Sequence, residues 1–75
     1  MNEIYETSFG NNLRRLRKNK HLTQEQLTTQ LQIRGCDITR SALAKIEVGQ
    51  RHIYPDEILI LKELLQVSFE EIFYF

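Results

Sequence analysis

The chain is poor in the features that would make it secreted, membrane-bound or catalytic. It has one cysteine, Cys36, among 75 residues, so no internal disulfide can form, which suits a reducing cytoplasm. No apolar run approaches the roughly 20 residues needed to cross a bilayer. The first residues, MNEIYETS, are too acidic and polar for a signal peptide, so the expectation is a soluble cytoplasmic protein with no membrane partner. No segment alternates apolar and polar residues long enough to compete as a strand. The two histidines, His21 and His52, lack carboxylate or cysteine partners at ligand or triad spacing, which argues against an enzyme and against a metal site. A chain this short also has little room for a buried catalytic pocket. Neither a cofactor nor a small-molecule substrate is expected.

What is present is a segregated charge. The formal net charge is zero, yet Phe9 to Arg51 carries nine basic residues against three acids, while His52 onward carries Lys62 against five acids. Such polarity can present one basic face to phosphates while the other end stays acidic. A merely solvated surface accounts for any single cation but not for the segregation.

A repeated local device marks the helix starts. An apolar residue before a capping position pairs with another five residues on, the hydrophobic staple. It occurs as Leu22/Leu27 around Thr23, Ile38/Leu43 around Thr39, Ile53/Ile58 around Tyr54 and Val67/Ile72 around Ser68. Gln26 and Glu71 complete capping boxes with Thr23 and Ser68, and Pro55 stands at a first helical position. Upstream, Phe9, Leu13 and Leu16 are spaced for a first helix capped by Thr7 or Ser8 and closed by a left-handed His21. Gly35 and Gly49 stand where helix ends need them. The reading is an all-α, five-helix domain with helices near 8–20, 24–34, 40–48, 55–66 and 69–74. It spans the whole chain, with 1–7 as an N-terminal extension and 66–75 as the C-terminal helix.

With Leu43 and Ile46 buried, a step of about 100° per residue turns Arg40, Ser41, Ala44 and Lys45 outward on the third helix. Arg and Lys can bond guanine O6 and N7, and small side chains let a backbone approach or touch a thymine methyl. An ordinary amphipathic helix with a basic outer face would look the same.

The run LRRLRKNKHLTQEQLTTQL followed by ITRSALAKIEVGQR resembles the Cro/repressor-type helix-turn-helix family, also called the xenobiotic-response-element family. The likeness continues through LKELLQVSFEEIF. It implies a lambda-repressor-like fold whose helices 2 and 3 form the helix-turn-helix, and a sequence-specific regulator of transcription, a repressor, acting on double-stranded DNA. Arg40, Ser41, Ala44 and Lys45 match base-facing positions. Gln24, at a helix N-terminus suited to anions, and Gln50, Arg51 and His52 match phosphate-contacting positions. Arg17 and Glu47 match an internal salt bridge between the first and third helices. The turn departs from the family: Thr39 lies twelve residues after Leu27, so the segment around Arg34 must extend the second helix or bulge as a loop, with Arg34 solvated. Tyr54-Pro55 also comes later than the family's loop proline.

A domain of this size makes few contacts, so a homodimer on a palindromic site is expected. Phe69, Ile72, Phe73, Tyr74 and Phe75 are its candidate interface. The same residues could instead close the domain's own core. Two other readings stand beside the main one: a protein-interaction module of the same fold, such as an antitoxin-like partner or adaptor, and the DNA-binding part of a longer regulator.

Overall fold

Helix ends strand backbone donors and acceptors, and this chain satisfies them locally at nearly every end. The computed structural model describes residues 3–74, which form α1 (Glu3–Asn19), α2 (Gln24–Ile33), α3 (Arg40–Glu47), α4 (Pro55–Leu65) and α5 (Phe69–Phe73). Among the described residues there is no strand. Thr23, Thr39 and Ser68 each accept a hydrogen bond from the backbone N–H three residues on. Tyr54 makes no such bond, and there the Glu57 carboxylate accepts from the Tyr54 N–H at 3.0 Å.

The C-terminal ends of α1 to α4 share one solution. A residue with positive φ follows the last turn: His21 at 58°, Gly35 at 79°, Gly49 at 78° and Gln66 at 56°. In each case the next N–H reaches back to the carbonyl five residues earlier: Leu22 to Arg17, Cys36 to Leu31, Gln50 to Lys45 and Val67 to Lys62. This is the Schellman geometry. After α1 and α4 the residue that completes it, Leu22 or Val67, is also the staple residue of the next helix. Those two connections are therefore as short as both devices allow.

The turn between α2 and α3 neither extends α2 nor bulges away. Arg34 caps α2, Gly35 reverses the chain, and Cys36 and Ile38 are buried in the core. The extra residues are absorbed as packing. Arg34 is not simply solvated, because its guanidinium pairs with Glu63 on α4.

The first helix begins at Glu3 rather than at Thr7 or Ser8, so residues 3–7 belong to the bundle. Thr7 donates to the Glu3 carbonyl at 3.0 Å within the helix instead of capping it. Glu3 and Glu6 lie in the first turn and Arg17 and Lys18 in the last, charges that suit both ends of the helix dipole. Expectations for Met1 and Asn2 lie outside the described residues.

The core is one cluster drawn from every helix, with Phe9, Leu13, Leu27, Leu31, Leu43, Ile46, Leu61, Leu65 and Ile72 buried in it. Helix α1 packs on α3 and α5, and α2 packs on α3 and α4. The α1–α3 crossing is backbone against backbone. A Cβ on Gly10 would sit 2.2 Å from the Ile46 carbonyl oxygen, and one on Gly49 would sit 2.5 Å from Thr7 Oγ1. An exposed helical glycine is worth about 0.5–1 kcal/mol less than alanine, so Gly10→Ala would stabilise the domain if the crossing were loose. Here the added methyl has no room. Gly10→Ala is expected to lower stability by about 1–3 kcal/mol, the usual cost of overpacking, in urea unfolding monitored by circular dichroism.

Candidate nucleic-acid interface

Eight residues give α3 a length of about 12 Å, short enough that its direction depends on how its two ends are held. Thr39 Oγ1 accepts from the Ala42 N–H at 3.1 Å at the start, and Gly49 and Gln50 close the end. Leu43 and Ile46 anchor one side in the core. The opposite side presents Arg40, Ser41 and Lys45 as exposed residues and Ala44 as half-buried. Those four form one outward ridge, which Val48, 56% exposed, continues.

The end of α3 also carries Glu47, whose side chain is only 1% exposed. Arg17 Nε donates to Glu47 Oε2 at 2.7 Å and Arg17 Nη2 to Oε1 at 3.0 Å, a bidentate pair. Arg17 Nη1 donates to the Leu22 carbonyl at 2.7 Å. Gln24 Nε2 adds a third donor to Glu47, 3.1 Å from Oε1. Gln24, matched to a phosphate-contacting position, is thus half-buried and committed in part to the interior. One N–H of its amide remains for an outside acceptor.

The loop after α3 is less free than its composition suggests. Gln50 is exposed. Arg51 makes a bidentate pair with Glu57, Nη1 to Oε1 at 3.0 Å and Nη2 to Oε2 at 3.2 Å, and its Nη1 also donates to the His52 carbonyl at 2.8 Å. The Arg51 guanidinium also lies 6.0 Å from the centre of the Tyr54 ring. Burial pushes the Glu57 carboxyl upward, but the Arg51 hydrogen bonds, the Tyr54 N–H and the Arg51 charge outweigh it and hold the group below its ordinary value. The same pair raises Arg51 above its usual range through the Glu57 hydrogen bond. His52 is exposed and contacts the Glu6 carboxylate of α1 through Nδ1.

The C-terminal aromatic group divides. Ile72 is fully buried in the core, so it is not part of an outer surface; it is the staple partner of Val67 and turns inward for that reason. Phe73 is 47% exposed and its ring stands 5.7 Å from that of Phe9. Phe69 is half exposed beneath the Lys62 ammonium, 4.8 Å from its centre. Tyr74 is 82% exposed, and Phe75 lies outside the described residues.

Asn12 escapes the sequence reading. It is buried, and its Nδ2 donates to the Glu71 and Ile72 carbonyls at 2.8 and 2.9 Å, tying the short α5 to α1. Arg15 in turn donates to Asn12 Oδ1 at 2.6 Å. The signal was an uncharged amide on the face shared by Phe9, Leu13 and Leu16.

Among the described residues no cluster of histidine, cysteine or carboxylate side chains could hold a metal ion, and no helix is long and apolar enough to cross a membrane. Cys36 is buried, and burial pushes its thiol upward, away from the reactive thiolate.

A small helical scaffold carries one short cationic helix outward, fixed by a buried ion pair at its end, an arrangement suited to a DNA-binding helix-turn-helix. Residues 13–72 match the family described as Helix-turn-helix, and the chain belongs to that family, in its Cro/repressor or xenobiotic-response-element type. No curated protein and no solved structure gives a significant match to the chain.

Removing one member of a buried pair strands the other charge. Arg17→Leu alone is expected to cost about 3–5 kcal/mol in denaturant unfolding. The double variant Arg17→Leu/Glu47→Leu should recover most of that loss. Additive losses would mean that the two side chains are not coupled.

Proposed function

We propose that the protein is a transcriptional repressor of the cytoplasm that binds a palindromic double-stranded operator as a homodimer, with α3 in the major groove. The observation that carries this is the outward ridge of α3, where Arg40 and Lys45 are exposed beside the small Ser41 and Ala44 while Glu47 is held inside. Arg40 and Lys45 then read guanine edges, and Ser41 and Ala44 admit the backbone or a thymine methyl. Gln50, which is exposed, and the second N–H of the Gln24 amide then contact phosphate oxygens. Arg51 and His52 reach phosphate only in competition with Glu57 and Glu6.

Selection from a randomised duplex pool should enrich a palindromic sequence whose affinity falls steeply with salt. Against that site, Arg40→Ala or Lys45→Ala should each relax preference at one base position by about 1–3 kcal/mol. Failure to enrich any sequence, with no salt-dependent retention of DNA, would favour the protein-interaction reading of the same fold.

The partly exposed Phe69, Phe73 and Tyr74 support a dimer through the C-terminal end. Sedimentation at micromolar concentration should give a dimer, and Tyr74→Glu should dissociate it without lowering helicity. A monomer throughout that range, or a dimer indifferent to Tyr74→Glu, would remove this surface as the interface.

A further inference from the structure

The nine cations of the basic segment divide by what they contact. Arg17, Arg34 and Arg51 are each neutralised by a carboxylate, Glu47, Glu63 and Glu57 respectively. Arg15 is turned toward Asn12. Arg14, Lys18, Lys20, Arg40 and Lys45 are exposed and make no ion pair among the described residues. Arg40 and Lys45 belong to the α3 ridge. Arg14 and Lys18 make no side-chain hydrogen bond or ion pair among the described residues, and Lys18 serves the fold only through the dipole of α1.

Their position on α1 follows from three contacts. Gly10 faces the backbone of Ile46 and Glu47, Thr7 faces Gly49, and Arg17 reaches Glu47, so one side of α1 receives the end of α3. Turning about 100° per residue, Arg14 lies about 40° and Lys18 about 80° round from Gly10, on the Thr7 side. Thr7, Asn11, Arg14 and Lys18 therefore form one stripe at helical spacing. It starts at Thr7, where Gly49 rests on α1, one residue along the chain from Val48 at the end of the α3 ridge.

We propose that Arg14 and Lys18 form a second phosphate-contacting strip, for the DNA backbone beside the groove that α3 occupies, and that Arg51 serves the fold instead. An unpaired surface cation releases counter-ions from DNA on contact. A cation already paired must first give up its carboxylate, and the loop's pairing with Glu57 leaves little net charge to offer. The solvated-face explanation covers Arg14 and Lys18 singly, but not the pairing of Arg51 and Arg34 while these two stay free beside the ridge.

The inference rests on the DNA-binding reading, and the test separates the two. Binding of the full chain to a labelled mixed-sequence DNA duplex is measured across a salt series, with thermal melting of every variant. Arg14→Gln and Lys18→Gln should each reduce the magnitude of the log–log salt slope by about 0.9, the share of one phosphate contact, with melting unchanged. Arg15→Gln removes the same charge about 100° round α1 from Arg14, where the guanidinium is turned to Asn12, and should leave the slope as it is. Arg51→Gln should lower the melting temperature and leave the slope within error. Unchanged slopes for Arg14→Gln and Lys18→Gln, or an equal reduction by Arg15→Gln, would overturn the strip while the unaltered protein still bound DNA. Absence of salt-dependent binding by the unaltered protein would remove the DNA reading and the strip with it.

Discussion

The Glu47 carboxylate is where α1, α2 and α3 are tied together, and the direction of α3 depends on it. Arg17 comes from α1, Gln24 from the start of α2, and the Arg17 guanidinium also holds the Leu22 carbonyl in the connection between them. A buried carboxylate is costly unless its lone pairs are filled, and here three donors converge on it. That convergence explains how an acid can sit at the end of a helix whose outer face is cationic: the interior takes its charge. It also explains why Gln24, in the first turn of α2, is only half available outside.

The ion pair could not form if α1 and α3 stood farther apart. Gly10 lets the α1 backbone meet the last carbonyls of α3, and Gly49 lets the chain turn beneath Thr7. With α1 running back to Glu3, its first two turns cover the loop that leaves α3, and Glu6 meets His52 there. The N-terminal turns of α1 are thus part of the support for the α3–α4 loop. At the opposite face Asn12 fastens α5, whose five residues could not hold themselves in water.

Features governed by neighbours in sequence were legible without coordinates. Thr23, Thr39 and Ser68 as caps, Gly35 and Gly49 as reversals and His21 in a left-handed conformation all follow from the backbone requirements of a helix end. Features governed by what lies across the core were not. Gly10 reads as an unremarked helix residue until the Ile46 carbonyl is set against it. Arg34 reads as solvated until α4 brings Glu63 alongside, and Ile72 reads equally as a staple residue of the core or as part of an apolar interface until its inward turn is seen. The start of α1 was missed because Thr7 is a good cap in isolation, while the acids favouring a start at Glu3 act only through a weak dipole term. At the site, family resemblance supplied the roles of Arg17 and Glu47, and the structure brings those two together. It could not reveal that Arg51 and His52 are already engaged, because their partners, Glu57 and Glu6, lie on other elements.

A net charge of zero is compatible with DNA binding here because charge acts locally at working salt. The molecule measures 30 × 23 × 21 Å, about two to four times the screening length of about 8–10 Å near physiological ionic strength. A phosphate at the α3 ridge therefore responds mainly to cations beside it, and acids elsewhere are screened. Three of those acids, Glu47, Glu57 and Glu63, are moreover bound to arginines that the fold itself uses. Each of these acids already neutralises a guanidinium beside it, so the three pairs add little to the field on either side. What remains on the basic side is the unpaired set on α1 and α3. Near 0.01 M salt the screening length grows to about 30 Å, the length of the whole molecule. In the proposed complex the acidic α4 and α5 would then repel the same phosphate that α3 attracts, which would make the far end of the domain part of the DNA-binding energetics only when salt is low.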